Sequence, residues 1–156
     1  MKQIFLILSF ISICTACNKV ERGAAENETL SRKLFDTLRD NDFDKSVMLM
    51  PDKGTFRKIQ EHNGQKIEDV NKVYDELLNE SENRFNDARS MFNKWESCKY
   101  LHTTTVQGKY GNLPSETVTT KFNGDGGPYK ITFTSVKFNN RWYSMGDVNW
   151  VAKTDR

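Results

Sequence analysis

Histidine is nearly absent from this 156-residue chain: His62 and His102 are the two present. They fall on different predicted elements, and neither has a neighbour at metal-ligand spacing, so no metal site is expected. Charge of one sign is lacking too. The 23 Lys and Arg face 21 Asp and Glu, a formal net of +2. No block of five like charges occurs, whereas a nucleic-acid binder needs a basic face or stripe. That class of partner is excluded. No apolar run is long enough for a membrane helix, which needs about 20 residues. Nucleophile elbow, P-loop and dinucleotide fingerprint are all missing, and no cofactor is expected. The stretch Asn123-Gly124-Asp125-Gly126-Gly127 begins like a calcium loop, but its twelfth position is Thr134 where a glutamate is required. A glycine-rich turn explains it.

Cysteine is scarce, and its placement is informative. Cys14 and Cys17 have the C-x-x-C spacing of a redox pair, yet they end a hydrophobic leader instead of opening a helix after a strand. That leader starts with Lys2 and runs from Ile4 to Ile13, ten residues that are apolar except Ser9 and Ser12. A basic start, a short apolar stretch and small residues at its end describe an export signal. Cys98, the third cysteine, reads as a small buried hydrophobe.

Thr15-Ala16-Cys17 resembles the last three positions of a bacterial lipobox, with Cys14 where that family places an aliphatic residue. The resemblance implies a signal peptide over residues 1–16, cleavage before Cys17, and a lipid anchor on the Cys17 thiol. Several acyl chains give stable anchoring where one gives marginal binding. Asn18, in place of the aspartate that retains such proteins in the inner membrane, implies the outer membrane of the cell envelope. Residues 17–26 are polar, contain Gly23-Ala24-Ala25, and read as a lipidated tether. The sequons at Asn27 and Asn79 are chance matches in such a context.

Residues 27–152 read as one domain, helical first and stranded later. Leu30, Leu34 and Leu38 recur at four, with Phe35 beside them and Asn27 as N-cap, giving a helix to about Asn41. A second helix covers Phe43 to Met50 and stops before Pro51. A third holds Phe56 and Ile59 and ends at Asn63-Gly64. The longest is expected from Ile67 to Trp95, about 45 Å, with a kink at residues 79–83. After Ser97 the period becomes two. Tyr100, His102, Thr104 and Val106 share one side of the first strand, and Glu116 to Phe122 forms the second. The third shifts phase between Phe133 and Val136, which predicts a bulge. Asn139-Asn140 is a two-residue hairpin signal, and the last strand runs from Trp142 to Trp150. The fold class is therefore α+β, with N-terminal helices and one long helix packed on a curved four-stranded antiparallel sheet. Threonines at 103, 104, 105, 117, 119, 120, 132 and 134 predict a solvated sheet face.

This order of elements resembles the nuclear-transport-factor-two-like superfamily of α+β cones, with a cystatin-like arrangement as the close competitor. "FDKSVMLMPDKGTFRKI" followed by the long helix is similar to uncharacterised lipoproteins of Bacteroidetes-type bacteria. Cone-fold isomerases use a carboxylate base and a phenol or protonated acid in an apolar pocket. Asp147, Tyr74, Tyr100, Tyr143 and His102 are this chain's counterparts by residue type, but nothing pairs them in sequence, and fold alone confers no activity. Trp142, Tyr143 and Trp150 rim a cavity or fill the core. The expectation is a non-catalytic binding domain for a protein or small ligand, anchored to the membrane through Cys17, with Tyr100, His102, Trp142 and Asp147 as ligand-binding candidates. An immunity-type lipoprotein that neutralises a toxin through a protein partner in the envelope, and an isomerase-like enzyme, are the alternatives.

Overall fold

The computed structural model describes residues 21–151, the side chains of residues 150 and 151 aside. The predicted signal peptide with Cys14, and Cys17, the expected site of the lipid anchor, lie outside the described residues. The chain is α+β. Helices α1 (Asn27–Asp40), α2 (Phe43–Val47), α3 (Lys53–His62) and α4 (Val70–Ser90) precede a 3-10 turn at Trp95–Ser97. Strands β1 (Lys99–Tyr110), β2 (Leu113–Gly124), β3 (Gly127–Phe138) and β4 (Arg141–Ser144) follow as an antiparallel meander in that spatial order. A short β5 (Asn149–Val151) pairs with β3 further along.

The helix signals translate directly, with local corrections. Asn41 closes α1 in the left-handed region (φ 57°), where its N–H and that of Asp42 satisfy the carbonyls of Leu38 and Thr37. Asn27 is not the cap. It is the first helical residue, and its amide donates to Glu116 on β2. Asp52 and Asp69 cap α3 and α4 by accepting from Thr55 and Lys72 backbone N–H groups. Helix α4 is shorter than its apolar pattern, which continues beyond the α-helix through Phe92 to Trp95, the first residue of the 3-10 turn. There the Trp95 indole N–H donates to the Arg89 carbonyl and satisfies the helix end. Residues 79–83 remain helical. Ser81 is buried, and its hydroxyl donates to the Leu77 carbonyl one turn back.

The sheet explains two slips in the strand pattern. The predicted bulge lies in β1, not β3: pairing with β2 shifts between Tyr100 and His102. The shift puts Tyr100 and Thr103 on one face, and His102, Thr104 and Val106 on the other. The β2–β3 register is unbroken from Ser115–Val136 to Gly124–Gly127. Phe133 and Val136 enter different cores because alternate residues of a strand face opposite ways. Phe133, Ile131, Val118 and Phe122 join Leu30, Leu34, Phe35, Leu38, Phe85 and Trp95 on the first face. Val136 and Leu113 join Phe56, Ile59, Tyr74 and Met145 on the second. Asn139 and Asn140 both have positive φ (49° and 61°), the geometry of a type I′ hairpin.

The expected single last strand is two. After Ser144 the chain leaves the ladder at Gly146 (φ 77°) and returns at Asn149. Gly146 packs so closely on α4 that a Cβ there would lie 1.9 Å from the Ser81 hydroxyl. The N-terminal boundary also differs from residue 27. Ala24 bridges Trp142 through reciprocal backbone bonds of 2.9 and 2.8 Å, so the chain joins the domain beside β4 before α1 begins. Cys98 is buried, and burial, followed by the nearby Glu96, pushes its thiol up to about 11.

Candidate functional site

The second face of the sheet is partly open. Between α3, the N-terminal half of α4 and the sheet lies a cleft of about 540 Å³. Phe56 comes from α3, Val73 and Leu77 from α4, Ile67 from the loop between them, and Met145 from the segment after β4. These give it apolar walls. Glu76 and Glu80 stand on α4 four residues apart, on one helix face, and Asp147 stands across from them on the β4–β5 connection. Glu80 accepts from Arg84 at 2.6 Å, and Arg84 also donates to the Asn149 side chain.

Two polar arrangements sit in the cleft wall. Asp147 holds the place where β4 leaves the ladder: one carboxylate oxygen accepts the Thr134 backbone N–H (2.8 Å) and the other its hydroxyl (2.5 Å). A side chain thereby replaces the missing strand partner, because a part-buried N–H needs an acceptor. Gln60, 4% exposed, donates its amide N–H to the Tyr110 hydroxyl at 3.1 Å, while its amide oxygen is buried with no hydrogen-bond partner among the described residues. Alongside, Tyr74 donates to the Pro51 carbonyl at 2.8 Å, and burial raises its phenol above the usual range.

Of the candidates read from the sequence, Asp147 alone lines this cleft. Tyr100 is half-buried on the first face. There its hydroxyl joins a chain through Thr103 (2.7 Å) to Ser31 (2.6 Å) and Thr120 (2.6 Å), and the Arg32 guanidinium lies 4.2 Å over its ring. His102 is exposed on the other face. Trp142 is half-buried against the first core, 5.5 Å from the Lys137 ammonium. Tyr143 is buried beside Gly23, and its phenol is raised chiefly by burial. The Trp150 side chain lies outside the described residues. Thus the four candidates do not converge. The threonine face holds in part. Thr104, Thr119 and Thr132 pair across three strands of the second face, whereas Thr103 and Thr120 bond to Ser31 on the first.

Gln60 carried no sequence signal, because a polar residue between Ile59 and Glu61 reads as solvent-facing. Ile67 and Leu77 belonged to the helix pattern without any mark separating cleft from core. Among the described residues, no group of His, Cys, Asp and Glu could hold a metal ion, and no helix is long and apolar enough to cross a membrane. No family model matches this chain, and no curated protein or solved structure matches it significantly. The fold and its cleft define an α+β domain with a half-covered sheet face.

Proposed function

We propose that this chain is a bacterial outer-membrane lipoprotein, tethered through Cys17, whose domain binds an apolar ligand or protein segment in the α3–α4 cleft without transforming it. The cleft carries this reading. Its volume of about 540 Å³ falls in the range of small-molecule sites, roughly 300–1,000 Å³, and apolar walls with a few fixed polar groups are their usual chemistry. Binding is favoured over turnover because both Asp147 oxygens are engaged by Thr134, which suits a structural carboxylate better than a free base. Protein extracted from membranes should begin at Cys17 with added lipid mass. Native mass spectrometry of the same material should find a bound apolar species that Leu77→Arg removes while the fold persists. An unmodified N-terminus would refute the anchor. A cleft that is empty in the wild type and indifferent to Leu77→Arg would refute the binding site.

A further inference from the structure

The segment preceding α1 is fastened to the domain by more than one bridge. The Gly23 N–H donates to the Met48 carbonyl at 2.9 Å, and Ala24 and Trp142 exchange backbone bonds. The Arg22 guanidinium donates to the Val47 carbonyl at 3.0 Å. Arg141 closes the arrangement by donating to the Arg22 carbonyl at 2.7 Å and pairing with the Glu21 carboxylate at 3.1 Å. At Gly23, with φ 69°, any side chain would collide with the Trp142 carbonyl, since a Cβ would lie 2.4 Å from it. The fastening is thus specified by glycine and arginine at these positions.

Covalent geometry then sets a limit. Cys17 and Glu21 are separated by four residue steps, which span at most about 14 Å. Glu21 opens onto a hollow formed with Lys33, Asp36, Asp40 and Lys45, on the α1–α2 side of the domain. The α3–α4 cleft lies against the opposite face of the sheet, and Val106, 69% exposed, sits on the far-edge strand β1. Strands β1 and β4 are three spacings apart, about 14 Å.

We propose that the docked Glu21–Ala24 segment shortens the anchor so that the α1–α2 corner rests against the lipid headgroup surface and the cleft is presented away from it. This rests on the reading of Cys17 as the lipidated residue. The corner is not a basic patch. Lys45 pairs with Asp42, Arg39 pairs with Asp36 and Asp40, and the hollow mixes both signs. Chain length, not charge attraction, holds it there.

The test uses the full lipidated protein in phosphatidylcholine vesicles that contain some nitroxide-headgroup lipid. A fluorophore is placed on Lys45→Cys in one protein and on Val106→Cys in another. Both positions are exposed, and buried Cys98, with its thiol raised to about 11, stays unlabelled. Quenching at position 45 should exceed that at 106 several-fold, at low and at high salt alike. Equal or reversed quenching in protein that carries the lipid mass overturns the orientation and leaves the anchor standing. Absence of the lipid mass instead overturns the anchor. Inserting about ten Gly and Ser residues before Glu21, with roughly 17 Å of root-mean-square reach, should bring the two labels close to equality. A difference that survives the insertion overturns the short-leash account.

Discussion

The two faces of one sheet are finished in contrasting ways. On the first, rings meet in a dry stack: Trp95 lies 5.2 Å from Phe122 at 27°, Phe122 lies 5.8 Å from Tyr129, and Phe35 packs on Phe122 at 5.4 Å. On the second, Phe56, Ile59, Tyr74 and Val136 make a smaller core, and the helices above it part to leave the cleft. The first face closes because α1 presents Leu30, Leu34, Phe35 and Leu38 at helical spacing to the sheet, packing on β1 and β2. The second stays open because α3 is ten residues long and half of α4 serves the other core through Phe85 and Ala88. A small helix cannot cover what a longer one can. On the proposed function this is a division of labour, with stability in one face and recognition in the other.

Truncating the stacked face should give the largest loss. Phe122→Ala removes a ring at 0% exposure with aromatic neighbours on several sides, and should cost about 3–5 kcal/mol by chemical denaturation. A loss near that of an exposed substitution would mean that the first face is not the stabilising one. Next is the hinge between faces. Gly146→Ala meets both the positive φ and the Ser81 hydroxyl, and should cost about 2 kcal/mol. Adding Ser81→Gly should recover part of that, since the clash is removed while the backbone strain remains. An additive double mutant would show that the contact is not the cause.

These same residues mark the limit of what the sequence made legible. Leu30, Leu34 and Leu38, the capping asparagine at 41 and the Asn139-Asn140 turn encode their structure locally, so helix α1 and the hairpin could be read without tertiary knowledge. The first core was legible too, because its residues sit at the expected periods. The burial of Ser81 has its reason in Gly146, 65 positions on. Val136 misled because a phase change in a strand looks the same whether the backbone bulges or the second face acquires its own cover. Tyr100 was grouped with His102, Thr104 and Val106, but the β1 bulge turns it to the other face, and no proline or glycine at Leu101 announces that bulge. For the candidate site, Asp147 could be picked out as a lone carboxylate, but its role as a substitute strand partner for Thr134 depends on β4 ending early. Gln60 became visible only once Tyr110 was placed beside it.

Asp147→Ala tests whether that carboxylate belongs to the open face or to its scaffolding. Removing it leaves the Thr134 N–H without its acceptor, and a part-buried unpaired donor costs about 1–3 kcal/mol. Asp147→Asn keeps one acceptor and should cost about half as much. A scaffold role predicts that amide exchange at Thr134 quickens in the alanine variant while ligand affinity falls modestly. Loss of all binding with unchanged stability would instead make Asp147 a direct ligand contact.

The smallest stability effect is expected at the cleft rim, where the contrast between faces is sharpest. Val73 on α4 is 37% exposed and lines the cleft. Exposed substitutions usually change stability by less than about 0.5 kcal/mol, so Val73→Ser should leave the unfolding midpoint nearly unchanged. It also removes apolar surface from the proposed recognition wall, so affinity for an apolar ligand should fall several-fold, measurable by calorimetry with the species found in native material. Phe122→Ala should show the reverse pattern, a large stability loss with little change in affinity for the molecules that remain folded. If both variants shifted stability and affinity in parallel, the two faces would be one cooperative unit, and the separation between a sealed core and an open recognition face would fail.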